Sequence, residues 1–387
     1  MAQNEASEPS SDKTLFDYLV DRQASFADEP LGDVDATILS YASYLYFDQG
    51  TLGRMQPDER IPLPVALCGV TRANLFGPST LMRIDGETFL TAFLQSSRFM
   101  QLEVGHYVDD LAPEQEKQFA AVTFYLPDGS AFVSFRGSDN SLAGWKENFN
   151  LSFMDAVPSQ LSARAYLEAA ARMHAGKLYV GGHSKGGNLA EYAALTCDDS
   201  VYQRIVGIYS LDGPGFANQP SKRIGDEGYV ARLHKVVPEG SVFGMMMEYR
   251  PAGTLRIVRS SGVLFAQHVP SKWLVEENDF VTTDRLTPDA DIIAGTVNTW
   301  AATYGPEQRE LFFNVIFDVL RQGNGVYWSD RDGLDSMLDI AEATAQVPHE
   351  MRRTVVEMLL GVASAFGGQT VRRTLDGISG SDGTSED

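Results

Sequence analysis

Lys177–Leu195 reads KLYVGGHSKGGNLAEYAAL, and its centre, Gly182-His183-Ser184-Lys185-Gly186, is a complete G-x-S-x-G. The residues before it, Leu178-Tyr179-Val180, have the aromatic and β-branched character of a short buried strand. Those after it, Asn188 to Leu195, are rich in helix formers. A chain that turns sharply from strand to helix holds its corner residue in a strained backbone conformation. Glycines two positions to either side remove the Cβ atoms that would collide there. Taken alone, the motif also reads as a glycine-rich turn; the flanking strand and helix favour the corner. Ser184 is then the corner residue, its hydroxyl clear of the sheet, and a nucleophile candidate.

Outward from the corner, strands and helices alternate. Ala121–Leu126 and Ala131–Phe135 read as strands on either side of Pro127-Asp128-Gly129, a hairpin turn signal. Ser162–Ala175 reads as a helix closed by Gly176, and strands follow the corner at Ile205–Leu211, Val230–Val237 and Leu255–Arg259. Upstream, Val34–Phe47 has helical spacing, with Asp33 or Asp35 as a capping group. The pattern predicts an α/β fold, a mostly parallel sheet covered by helices on both faces. After about residue 285 only helices are expected: Pro306–Gln322, stopped by Gly323, and Pro348–Phe366, ended by Gly367-Gly368. The expected organisation is a disordered polar tail over 1–13, an α/β domain over 14–284, a helical extension over 285–375 and a second disordered tail over 376–387.

Bulk composition excludes several classes of function. The chain has 387 residues, 43 % of them hydrophobic, enough for a large core. Lys and Arg total 31 against 52 Asp and Glu, a net charge of -21 that would repel nucleic acid and anionic membranes. Cys68 and Cys197 lack metal-ligand spacing and are expected as buried reduced thiols. No metal or other cofactor is expected. With no signal peptide and no long apolar run, the chain reads as soluble and cytoplasmic, with no integral membrane segment.

An activated serine requires a base, and the base an orienting acid. Of six histidines, His183 lies inside the corner and points away from the serine. His174 and His106 precede it, and His349 lies in the late helical region. His234 falls within a strand, where packing is the expected role. His268, on the segment after the Leu255–Arg259 strand, is the candidate base. For the acid, Asp212 ends the Ile205–Leu211 strand at the sheet's carboxyl edge and is the first choice. Glu239, after the next strand, is the alternative. An oxyanion hole needs preorganised donors. The backbone N–H of Lys185 supplies one, and the Phe135-Arg136-Gly137-Ser138-Asp139 loop the other, with the Ser138 hydroxyl available. Arg136 and Asp139 are expected to pair and shape that loop. Phe243 to Met247 offers flexible apolar groups, read equally well as core.

Phe135-Arg136-Gly137-Ser138, Trp145-Lys146-Glu147-Asn148-Phe149 and the Gly181–Ala190 stretch together resemble an uncharacterised bacterial α/β-hydrolase family, a domain of unknown function related to class 3 lipases. The likeness extends through Tyr209–Phe216 to Gln267-His268 and so covers about residues 30 to 275. Class 3 lipases carry a similar arginine-glycine-serine/threonine loop for the oxyanion hole and a similar serine elbow. The resemblance therefore implies an α/β-hydrolase fold, Ser184 as nucleophile, and Ser138 and Lys185 as oxyanion residues. The chain departs from those lipases at the acid. Where their aspartate would follow the Val230–Val237 strand, this sequence has Ser241, with Glu239 nearby. Asp212 instead resembles the acid of pancreatic-type lipases, one strand earlier. Lys185 replaces the usual apolar residue, in a role that uses only its backbone.

The expectation is a serine hydrolase acting on a small acyl ester or lipid. An acyltransferase or amidase would use the same site, and a silent hydrolase fold serving as a binding or regulatory module is the reading from another class.

Overall fold

The computed structural model describes residues 12–247 and 254–322. The tail over 1–11, the Gly323 stop, the Pro348–Phe366 helix and the tail over 376–387 lie outside the described residues. Lys13, expected in the tail, is held instead: its carbonyl accepts from Val275 N at 2.8 Å.

The chain begins with α1 (Leu15–Asp21), α2 (Asp33–Ala42), β1 (Arg60–Pro62), α3 (Leu63–Leu67), α4 (Arg72–Phe76), α5 (Thr80–Gln95) and α6 (Ser97–Met100). Next come β2 (Glu103–Ala112), β3 (Lys117–Tyr125), β4 (Ala131–Phe135), α7 (Leu142–Asn150), α8 (Pro158–Met173), β5 (Leu178–His183) and α9 (Lys185–Thr196). They are followed by α10 (Asp199–Tyr202), β6 (Ile205–Leu211), α11 (Glu227–Val230), β7 (Leu233–Pro238) and β8 (Leu255–Val258). β9 (Val275–Glu276), β10 (Asp279–Phe280), β11 (Thr282–Thr283), α12 (Pro288–Thr303) and α13 (Pro306–Gln322) complete the described elements.

Nine strands form one sheet in the order β1 to β8, with β11 beside β8. β4 to β8 run parallel, while β1 to β4 and the β8–β11 pair are antiparallel, so the fold is α/β with a parallel centre and antiparallel flanks. Because the parallel strands follow in sequence order, each right-handed crossover steps in the same direction and leaves its helix on the same face. α8 and α9 take that face. The other face needs separate cover, and the N-terminal helices provide it.

Side-chain alternation divides the two cores. On β4, Ala131, Val133 and Phe135 pack with α8 and α9, while Phe132 joins the cluster around α1, α2 and α5. On β6, Ile208 faces the first cluster, and Tyr209 and Leu211 the second. Arg98 braces the N-terminal layer: fully buried, it donates to both carboxylate oxygens of Asp35 at 2.8 Å and to the Ala24 carbonyl at 2.6 Å.

Several local expectations shift. The helix over 34–47 stops at Ala42; Gly32 is its N-cap, and Asp35 closes the cap by accepting from Gly32 N at 3.0 Å. The strand expected over 230–237 begins only at Leu233, after one helical turn, α11, introduced by Asp226. Cys197 is buried but Cys68 is exposed. β2 and the helices between residues 63 and 100 had no sequence assignment.

The corner depends on glycines that cannot carry a side chain. A Cβ at Gly186 would collide with the carbonyl of Phe135, whereas one at Gly295, on the exposed face of α12, meets nothing within 4 Å. Gly186→Ala is expected to destabilise the protein by about 3 kcal/mol or more, and Gly295→Ala to leave it unchanged or raise stability by up to about 1 kcal/mol. Urea denaturation of the two variants checks the contrast, and a Gly186→Ala protein of native stability would refute the packing described.

Candidate active site

Ser184 joins β5 to α9 with φ 57° and ψ -130°, a conformation that costs on the order of 1–3 kcal/mol for a residue with a Cβ. It persists because the surroundings over-determine it. Ser184 N donates to Leu211 O of β6 at 2.9 Å, and a Cβ on Gly182 would meet both Gly186 and the Phe135 carbonyl. β4, β5 and the start of α9 thus touch through backbone alone.

One strand over, Asp212 follows β6, also with positive φ, 48°. Its carboxylate is fully buried, and Oδ2 lies 2.6 Å from His268 Nδ1. Oδ1 accepts from the Ser241 hydroxyl and, at 3.1 Å, from Gly244 N. Ser241, just after β7, therefore hydrogen-bonds the aspartate that follows the strand before it. The Phe243 ring stands beside the His268 ring, centroids 4.6 Å apart. The segment carrying Phe243 and Gly244 is pinned from the extension: Asn298 of α12 accepts from Met247 N at 2.9 Å and donates to Met245 O at 2.7 Å. Glu239 is engaged away from His268, accepting from Ser260 N at 3.2 Å and lying 3.8 Å from Arg259 Nη1. No hydrogen bond joins the Ser184 hydroxyl to the His268 ring in this structure. Such contacts commonly tighten only when substrate is bound.

On the other side of the corner, Ser138 donates from its hydroxyl to Asn148 Oδ1 of α7 at 2.8 Å. Lys185 is the first residue of α9, so its N–H has no intrahelical acceptor. Its side chain turns inward and is buried, donating to Glu147 Oε2 at 2.8 Å, Gln118 Oε1 at 2.9 Å and the Gln118 carbonyl at 2.5 Å. Glu147 also accepts from Gln118 N at 3.1 Å and Ser159 N at 2.8 Å. The expected Arg136–Asp139 pair does not form. Buried Arg136 pairs with Asp109 of β2 at 2.5 Å and stacks over Tyr46, while Asp139 accepts from Ser141 N at 2.8 Å at the start of α7. β2 lies two strands from β4, and no sequence signal places Asp109 there.

Four supporting groups escaped the sequence reading. Ser241 and Asn148 lacked a partner to suggest their use. Lys235 of β7 is buried, and its ammonium bonds Glu191 at 3.0 Å, Ser210 at 3.1 Å and the Gly213 carbonyl at 2.6 Å, bracing the turn after Asp212. A lysine inside a strand gives no such hint. Tyr44, just beyond α2, has its hydroxyl 3.0 Å from His183 Nδ1. His234, expected to pack within its strand, stacks on Tyr209 and bonds Asp33 at 2.7 Å. Among the described residues no cluster of three or more His, Cys, Asp or Glu could hold a metal, and no helix is long and apolar enough to cross a membrane.

The Mbeg1-like family model matches residues 93–318, more than half of the chain, and the chain belongs to that family. The matched span runs from α5 through β2 to β11 and α12 into α13. No curated protein and no solved structure matches the chain.

Two buried histidines give the protein a pH dependence. Burial, and then the neighbouring His268 ring, hold His183 well below the usual imidazole range; burial, and then Arg172, push His106 down to about 4. In the unfolded chain both titrate near 6.5, so below that pH the unfolded state binds protons that the folded state does not. Stability is therefore full above about pH 6.5 and falls as the pH drops, by up to ~1.4 kcal/mol per pH unit for each histidine. Urea midpoints at pH 7.5 and 5.0 should differ accordingly; a constant midpoint would contradict the neutral, buried state of both rings.

Proposed function

We propose that the chain is a serine hydrolase that cleaves a carboxylic ester, a small acyl ester or a lipid, through an acyl-enzyme on Ser184. One observation carries the reading. The Asp212–His268 pair, 2.6 Å apart, stands at the carboxyl edge of the sheet, and Asp212 follows the strand adjacent to the one that ends in the Ser184 corner. An acid, a base and a strained hydroxyl-bearing corner at one sheet edge are the parts that acyl transfer requires.

The chemistry follows from the parts. With Nδ1–H donated to Asp212, His268 presents a bare Nε2 to the Ser184 hydroxyl. Oγ attacks the ester carbonyl as Nε2 takes its proton, and the carbonyl electron pair moves to oxygen. The N–H of Lys185, reinforced by the positive end of α9, faces that oxyanion. Ser138 adds a second donor once its hydroxyl turns from Asn148; a turned Asn148 amide then offers Nδ2 to the serine oxygen. Collapse of the intermediate expels the alcohol, which receives the proton from His268. Water, deprotonated by the same nitrogen, attacks the acyl carbonyl; collapse breaks the bond to Ser184 Oγ, which takes back the proton from Nε2, and the acid is released. Asp212 is held in place throughout by the Ser241 hydroxyl and Gly244 N.

Steady-state hydrolysis of p-nitrophenyl esters tests the assignment. Ser184→Ala should lower kcat by about 1000-fold or more, and Asp212→Asn by at least ~100-fold through the wrong histidine tautomer. Glu239→Gln should change kcat less than about 5-fold, since it touches only the Ser260 and Arg259 neighbourhood. A crippled Glu239→Gln beside an active, folded Asp212→Asn would move the acid to the later strand. A Ser184→Ala protein keeping more than about a tenth of wild-type activity would remove Ser184 from the mechanism.

A further inference from the structure

His183, the residue before the corner serine, is fully buried, and each of its ring nitrogens has a partner. Nε2 lies 2.8 Å from the backbone carbonyl of His268, and Nδ1 lies 3.0 Å from the Tyr44 hydroxyl. A carbonyl oxygen only accepts, so Nε2 carries the proton. The buried ring is neutral, so Nδ1 is bare and accepts from Tyr44, whose own proton burial keeps in place. The donors thus run one way: Tyr44 O–H to His183 Nδ1, and His183 Nε2–H to His268 O. The two imidazoles also stand against each other, centroids 4.5 Å apart and planes tilted by 39°.

His268 needs such a fastening. It ends a short 3-10 turn, Leu264–His268, beyond the last parallel strand, where no strand ladder fixes the backbone. Its neighbour Gln267 is tied on two sides, Oε1 accepting from Gly240 N at 2.8 Å and the carbonyl from Trp273 Nε1 at 2.9 Å. The first leads away from Ser184, to the segment after β7, and the second to an indole whose ring stands edge-on to His183, centroids 6.3 Å apart. The His183 bond is the one that runs from the His268 backbone to the corner itself. Tyr44 reaches the other side as well: a Cβ on Gly137 would strike its hydroxyl, so the same phenol seats the loop that carries Ser138.

We propose that Tyr44 and His183 are positioning residues that lock the His268 backbone to the Ser184 corner through a single, tautomer-defined hydrogen-bond chain. This rests on the reading of Ser184 and His268 as nucleophile and base. Neither residue touches substrate. Their effect is on the distance and orientation between the two groups that do, so turnover changes while substrate affinity does not.

The test uses the full chain and the variants Tyr44→Phe, His183→Gln and His183→Ala, each first shown to unfold cooperatively. Tyr44→Phe should lower kcat for a p-nitrophenyl ester by about 10- to 100-fold with KM changed less than ~3-fold. His183→Ala should lower kcat by more than about 100-fold, and His183→Gln, which retains a side-chain N–H for the His268 carbonyl, should restore at least a tenth of wild-type turnover. Should the His183 variants fail to fold, Tyr44→Phe, which removes a single oxygen, decides the matter. A second arm needs no turnover. In the wild type, 15N spectra should report His183 as the Nε2–H tautomer, with a low-field proton from His268 Nδ1–H on Asp212; in Tyr44→Phe that proton should broaden or vanish. A folded Tyr44→Phe with wild-type kcat and an unaltered low-field proton overturns the proposal, as does a His183 carrying its proton on Nδ1. A wild type that hydrolyses no ester while its spectra behave as expected would sink the hydrolase reading and leave the fastening intact.

Discussion

The site depends on one close approach of backbones. The Phe135 carbonyl at the end of β4 lies where a Cβ on Gly182 or Gly186 would have to be, so the corner between β5 and α9 exists only with glycine at both positions. Parallel pairing of β4 with β5 brings their carboxyl ends to the same sheet edge, and the glycines let the first turn of α9 settle against the neighbouring strand. The loop after β4 is thereby held beside the unsatisfied N–H of Lys185. Strain at Ser184 and the juxtaposition of two donors are consequences of the same contact. The buried Lys185–Glu147 pair fixes it from below, since α7, which carries Glu147, also carries the Asn148 that meets Ser138.

A second constraint is topological. Strands β4 to β8 in sequence order leave one face of the sheet without crossover helices, and α1, α2 and α5 from the N-terminal region cover it. That layer also delivers Tyr44 beneath the corner. At the other end, α12 shares a small core with Val237 of β7 and Met245, and its Asn298 grips the segment that supplies Gly244 to Asp212. Segments from both ends of the described chain therefore support groups that the central strands place. α13 rests on α7 through Phe313 against Phe149 and through Asn314 accepting from Lys146 at 2.8 Å.

Much of the centre was legible because its signals are local. The corner motif, the Pro127-Asp128-Gly129 hairpin and the apolar Ile205–Leu211 run each announce themselves within ten residues. β2 did not, because a bulge between Gly105 and Val108 breaks its alternation and Asp109 and Asp110 interrupt its apolar character. α3 and α4, five residues each, are too short to display a helical period. Of the candidate site, Ser184, Asp212 and His268 could be reached from chain order and strand ends. The sequence offers Arg136 only the nearby Asp139, and Lys185, Lys235 and Glu191 no partner at all, yet each is buried in a pair whose partner lies far along the chain. Long-range pairing of buried charges has no periodicity to detect. Removing one member of such a pair costs about 3–5 kcal/mol, so these residues fix geometry that a sequence pattern cannot encode.

The central claim is that Ser184 is a nucleophile activated by His268 on Asp212. Its most direct measurement is covalent: incubation of the full chain with a fluorophosphonate, followed by intact mass and peptide mapping. The account predicts one adduct per chain, on the peptide containing Ser184, formed at a rate that Asp212→Asn lowers sharply. No adduct, or an adduct on another residue, would contradict it.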